Sequence, residues 1–97
     1  MQESTVYQRR TLVASSVGLH ARPAGLVAKT AAGQPAKVRI AKITGGVAGD
    51  PVDAASVLGL MTLGAAFGDE VELTAEGDQA QASVDALAEL IAQDLDA

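Results

Sequence analysis

The sequence predicts an α+β fold, an antiparallel sheet covered by helices on one side. Three observations lead there. DEVELTAE (69–76) and AKVRIAKI (36–43) alternate apolar and polar residues with period two, so each strand has one apolar face. Other segments repeat apolar residues at helical spacing. Glycine and proline separate the two kinds of segment, giving the order β-α-β-β-α-β-α. One-sided strands and helices that each bury one face stack as two layers.

Taken in order, TVYQRRTLVAS (5–15) is rich in β-branched and apolar residues, but its alternation leaves the inward face undecided. Gly18 turns the chain, and Pro23 sits where a first helical turn accepts proline. From Ala24 to Ala32, Leu26, Val27 and Ala31 form a helical stripe that Gly33 ends. Gly25 lies inside that helix at a cost of about 1 kcal/mol relative to alanine, which hints at a close approach. Val38 and Ile40 point inward from the next strand, with Lys37 and Arg39 outward. TGGVAGDP (44–51) reads as a hairpin connection followed by a short extended piece around Val52; without a Gly-Lys-Ser/Thr ending it is no phosphate loop. Ser56 is the natural N-cap of VLGLMTLG, which Gly64 closes. In the 69–76 strand, Val71, Leu73 and Ala75 share one face and Glu70, Glu72 and Thr74 the other. Asp78 and Gln81 read as a capping pair for a last helix that buries Val84, Leu87, Ala88, Ile91 and Leu95.

Ninety-seven residues suggest a single domain spanning 1–97. With 48% hydrophobic but only 2% aromatic residues, the core has to be Val, Leu, Ile and Ala, and cofactors held by aromatic stacking find few partners. No cofactor and no metal site is expected. The lack of cysteine excludes disulfides and thiol chemistry and suits a reducing compartment. MQESTVYQRR has no apolar run of a signal peptide, and no stretch approaches the ~20 apolar residues of a membrane span. A soluble, cytoplasmic monomer without membrane insertion is expected.

Residues 1–49 hold all seven Lys and Arg and one acid, for +6, whereas residues 50–97 hold eleven acids, for −11. One reading is a lopsided solvated surface; the other is a basic half that frames an anion site near His20. Nucleic-acid binding is not expected, because the acidic half repels phosphates and no aromatic-basic pattern is present.

The chain's one histidine stands in VGLHARPAG (17–25). Two cations at close quarters disfavour each other, so a histidine beside Arg22 calls for an anion. A helix starting at Pro23 directs its first N–H groups towards the imidazole, and such an end carries roughly half a positive charge. Arg22 adds a guanidinium fork that matches phosphate oxygens. A neutral imidazole has a lone pair for nucleophilic attack, and both features stabilise a phosphoryl group once attached. No general base, metal cluster or nucleotide motif accompanies them, so a phosphoryl carrier fits better than an enzyme.

GLHARPA (18–24), with SVLGLMTLG (56–64) downstream and the ending EVELTAEGDQA, resembles HPr, the histidine-containing phosphocarrier family of the bacterial phosphoenolpyruvate:sugar phosphotransferase system, over nearly the whole chain. The resemblance implies an open-faced β-sandwich, a four-stranded antiparallel sheet with three helices on one face. It implies that enzyme I phosphorylates His20 on Nδ1 with a phosphoryl group from phosphoenolpyruvate, which then passes to the IIA domains of sugar permeases. Arg22 would contact the phosphate and Pro23 begin the first helix. Ser56 matches a serine that an ATP-dependent kinase phosphorylates in many relatives, although an N-cap needs no further reason to be serine. Val57, Leu58 and Met61 fall where the family exposes an apolar docking patch, whereas periodicity alone places Val57, Leu60 and Met61 in the core.

Three features depart from the family's common form. ITGGVAGDP is a few residues longer, and the N-terminus is slightly extended. Ala55 also stands where relatives often have lysine. Longer loops resemble HPr-like carriers in specialised relays such as dihydroxyacetone phosphorylation. A further alternative is a regulatory binding module controlled at Ser56, with a serine kinase or a transcription regulator as partner.

Overall fold

Alternation decides the centre of the sheet. In the computed structural model, which describes residues 5–95, strand β5 (Glu70–Glu76) buries Val71, Leu73 and Ala75 and turns Glu70, Glu72, Thr74 and Glu76 to the other face. β5 pairs antiparallel with β1 (Val6–Leu12) on one side and with β2 (Arg39–Thr44) on the other. Beyond β2 lie two short pieces, β3 (Val47–Ala48) and β4 (Val52–Asp53), both antiparallel to it. Ala48 faces Ile43 and Val52 faces Ile40, so the outer chain uses one more residue than β2 over that span. β3 and β4 are therefore one strand interrupted by a bulge. Counted that way the sheet has four strands, in the order β1, β5, β2 and then β3 with β4.

The expected hairpin connection in TGGVAGDP joins β2 to β3. Gly45 and Gly46 both have positive φ (59° and 80°), the backbone that a two-residue turn needs to match the twist of its strands.

Three helices, α1 (Ala21–Ala32), α2 (Val57–Thr62) and α3 (Ala80–Ile91), pack on one face of the sheet. The core between the layers is aliphatic: Val27, Leu60, Ile40, Val71, Leu73, Val84, Leu87 and Ile91 are among its largest contributors, and no described helix covers the other face of the sheet. This is the open-faced α+β architecture. None of the described helices is long and apolar enough to cross a membrane.

Several local expectations need correction. α1 begins at Ala21, not beyond Pro23, and its N-cap is His20. Its buried stripe consists of Pro23, Ala24, Val27, Ala28 and Ala31, whereas Leu26 faces outward at 41% exposure. Small residues let the helix lie close to its neighbours, which leaves the bulkier leucine outside. A Cβ at Gly25 would meet nothing within 4 Å, so no close approach explains that glycine. The Asp78–Gln81 capping pair does not form: Gln79 occupies the N-cap of α3 without a side-chain hydrogen bond. Leu95 lies past the end of α3, half-buried against the core.

The charge imbalance along the chain is resolved by topology. Acidic β5 runs between β1 and β2, which carry Arg9, Arg10, Arg39 and Lys42. Arg10 pairs with Glu72 (3.0 Å), Arg9 with Asp85 (2.9 Å), Lys42 with Asp69 (3.5 Å) and Lys37 with Asp53 (3.8 Å). The basic half is thus dispersed over the sheet rather than gathered around His20; Arg22 alone of the seven cations stands in the first turn of α1.

Candidate functional site

The segment before α1 is pinned from three sides. Val13 N–H donates to the Asp69 carbonyl (2.9 Å) and Gly68 N–H to the Val13 carbonyl (2.8 Å). Ala14 N–H donates to the Ile91 carbonyl at the end of α3 (3.1 Å), and the buried Ser15 hydroxyl accepts the Leu95 N–H (3.1 Å). Gly18 N–H then donates back to the Ser15 carbonyl, and Leu19 N–H to the Ala65 carbonyl, both at 2.9 Å. Leu19 turns into the core at 4% exposure, and the next residue, His20, turns out to solvent.

His20 is the N-cap of α1 in extended backbone (φ −88°, ψ −171°), and its carbonyl accepts the Ala24 N–H at 2.8 Å. Its ring makes no capping hydrogen bond. A capping side chain would satisfy one of the first N–H groups; here the Ala21 and Arg22 amides keep no partner among the described residues. Pro23 has no N–H to add. The positive end of α1 is therefore concentrated in two free amides beside an exposed imidazole, with no acidic residue in the first turn. Arg22 is exposed and forms no ion pair among the described residues. Thus His20, Arg22 and Pro23 share one helix start, with Pro23 buried and two positions further into the helix than a first residue would be.

Next to the ring lies a shallow depression of about 250 Å³ lined by Val17, Leu19, His20, Met61, Gly64, Ala65 and Ala66. Met61 brings the C-terminal half of α2 to it, half-buried and packed on the core. Val57 and Leu58 are exposed, Leu58 at 77%, while Leu60 is fully buried. Val57 and Leu58 thus have the exposure a docking patch needs and Met61 has part of it, while of the residues that periodicity placed in the core only Leu60 is fully buried. Two exposed apolar side chains near the site were not singled out in the sequence: Val17, which lines the depression, and Phe67, in the segment that packs on Gly18. A lone phenylalanine between Gly64 and Gly68 in an aromatic-poor chain was the available signal.

Ser56 caps α2 as expected, its Oγ accepting the Gly59 N–H at 3.0 Å. A Cβ on Gly59 would stand 3.2 Å from that Oγ and 3.3 Å from Val52 Cβ, so the cap is packed as well as bonded. Among the described residues no group of three or more His, Asp or Glu side chains is placed to hold a metal ion.

Fold and site together define a small open-faced α+β module that presents one imidazole at a positive helix end. Residues 7–93 match the family model described as the PTS HPr component phosphorylation site. The chain is 39% identical over 89 residues to the phosphocarrier protein HPr of Streptomyces coelicolor, covering 92% of this chain and 91% of that protein. It is 38% identical over 84 residues to the phosphocarrier protein HPr of Haloferax volcanii, covering 87% and 91%. The crystal structure of a phosphocarrier protein HPr from Bacillus anthracis superposes with a TM-score of 0.79 at 34% identity, over 89% of this chain and 96% of that one. The chain belongs to the HPr family, the phosphocarrier proteins of the phosphotransferase system.

Proposed function

We propose that His20 is the phosphoryl acceptor, that enzyme I supplies the group from phosphoenolpyruvate, and that IIA domains of sugar permeases receive it. The observation that carries this reading is the uncapped helix start: an exposed ring that leaves the Ala21 and Arg22 amides free, beside an unpaired guanidinium. A ring nitrogen lone pair attacks phosphorus as the bond between phosphorus and the donor breaks, and the departing electron pair stays on the donor. The dianionic group then lies where two N–H donors and Arg22 neutralise it, without metal or nucleotide. Onward transfer repeats the exchange in the opposite sense. The 97 residues act as one domain and as a stoichiometric carrier rather than an enzyme, and the exposed Val57 and Leu58 with Met61 form the surface that partners cover.

Incubation with phosphoenolpyruvate and purified enzyme I, followed by mass spectrometry, tests this. One acid-labile, base-stable phosphate is expected on His20 and none in His20→Ala. Arg22→Ala is expected to slow transfer while changing stability by no more than about 0.5 kcal/mol, since its side chain is exposed and unpaired. Equal labelling of His20→Ala overturns the assignment. Regulation by phosphorylation at Ser56 rests on the family resemblance; the hydroxyl already has a capping role, and ATP-dependent labelling there without phosphoenolpyruvate is its test.

A further inference from the structure

Lys42 lies on β2, an element that contributes nothing to the lining around His20. Its ammonium nevertheless reaches across to the segment after α2, donating to the Gly64 carbonyl (3.3 Å) and lying 3.5 Å from Asp69 Oδ2. That same Oδ2 accepts the Ala66 N–H (2.9 Å), and the Asp69 N–H donates to the Ala66 carbonyl (3.0 Å). Residues 64–69 are thus closed into a turn that Lys42 ties at both ends.

The turn is the support of the site. Ala65 carbonyl accepts the Leu19 N–H, the last backbone hydrogen bond before His20, and Gly18 lies against Ala65 and Ala66. Gly64, Ala65 and Ala66 also wall the depression beside the ring. A shift of the turn is therefore passed through Gly18 and Leu19 to His20, at the helix end that is to neutralise its phosphoryl group.

We infer that Lys42 and Asp69 are positioning residues for phosphoryl transfer at His20, acting through the 64–66 backbone; the inference rests on the carrier reading above. Neither side chain needs to touch the phosphoryl group. A partly exposed ion pair adds little to folding, so its influence on the site is separable from its influence on stability.

The test uses the full chain with Lys42→Met, Asp69→Asn, their double variant, Lys42→Arg as the conservative replacement, and Arg10→Gln as a control that breaks the open-face pair with Glu72. Two quantities are read well below the melting temperature: the rate of phosphorylation by enzyme I at saturating and limiting carrier, and the half-life of the isolated phosphohistidine in buffer. The second involves no partner, so a docking role for Lys42 does not move it. Lys42→Met and Asp69→Asn are expected to lower the saturated rate and shorten the half-life about three- to tenfold, non-additively in the double variant. Lys42→Arg is expected to restore most of the loss, and Arg10→Gln to behave as the parent. A fully labelled parent with variants equal to it in both readouts overturns the positioning role alone. A parent that takes no label on His20 overturns the carrier reading and this inference with it.

Discussion

Gly18 lies against Ala65 so closely that a Cβ on it would stand 2.5 Å from the Ala65 carbonyl oxygen and 2.9 Å from Ala66 Cα. Its φ of +72° adds a second demand for glycine. Both neighbours are backbone and cannot rotate away. Gly18→Ala is therefore expected to lower unfolding free energy by about 2–4 kcal/mol, combining left-handed strain with overpacking. Because the same contact sets Leu19 and His20, phosphorylation measured on the residual folded protein is expected to slow as well. A urea-denaturation midpoint equal to the parent's would contradict the close approach.

Gly25 gives the opposite expectation. It lies in the interior of α1 with ordinary helical backbone and open space where a Cβ would go. Gly25→Ala is expected to raise stability by about 0.5–1 kcal/mol, through helix propensity and a less flexible unfolded chain. Thermal denaturation of the variant checks it; a lower midpoint would mean that a neighbour fills that space.

Asp85 on α3 fastens the edge strand. Its Oδ1 accepts hydrogen bonds from the Arg9 guanidinium (2.9 Å) and the Tyr7 hydroxyl (3.1 Å). The bond from Arg9 holds the Asp85 carboxyl below the usual carboxylate range, aided by Tyr7 and opposed by partial desolvation. The Ala66 amide does the same for Asp69, with Lys42 assisting. A carboxyl whose native pKa is depressed contributes stability above its unfolded value of about 3.9, lost as pH falls through the native value. Unfolding midpoints followed from pH 7 to pH 2 are expected to fall steeply below about pH 4, and the slope to flatten in Asp85→Asn. An unchanged slope in that variant would remove Asp85 from the acid transition.

These residues also explain what could be read from the sequence. The strand over 69–76 and the Ser56 cap each rest on neighbours in the chain, and local pattern sufficed; the same nearness puts His20 and Arg22 at one helix start. Where small residues do the packing, pattern misleads: Leu26 outranks Ala24, Ala28 and Ala31 in hydrophobicity, yet the alanines face the core. The start of α1 was displaced because proline is tolerated throughout a first turn, while the actual cap, His20, binds no amide with its side chain. The pairings of Lys42 with Asp69 and of Arg9 with Asp85 are set by the strand order β1, β5, β2, and no local signal foretells partners so far apart in the chain. The apparent basic half dissolved for the same reason.

Leu58 and Leu60 divide α2 between surface and core, at 77% and 0% exposure within one short helix. Leu60→Ala removes a fully buried side chain and leaves a cavity, for an expected loss of about 2–5 kcal/mol. Leu58→Ser removes nothing the fold uses, so stability is expected to stay within about 0.5 kcal/mol of the parent. The proposed docking surface gives an exposed leucine, on the helix that carries Met61 to the edge of His20, a different use: burial under a docked partner. In Leu58→Ser the carrier concentration that half-saturates enzyme I is expected to rise roughly three- to tenfold, with the saturated rate retained. The phosphohistidine half-life in buffer should not change, because no partner is present in that measurement. A variant with normal half-saturation would place the docking surface elsewhere, with Val17 and Phe67 the next apolar side chains to replace.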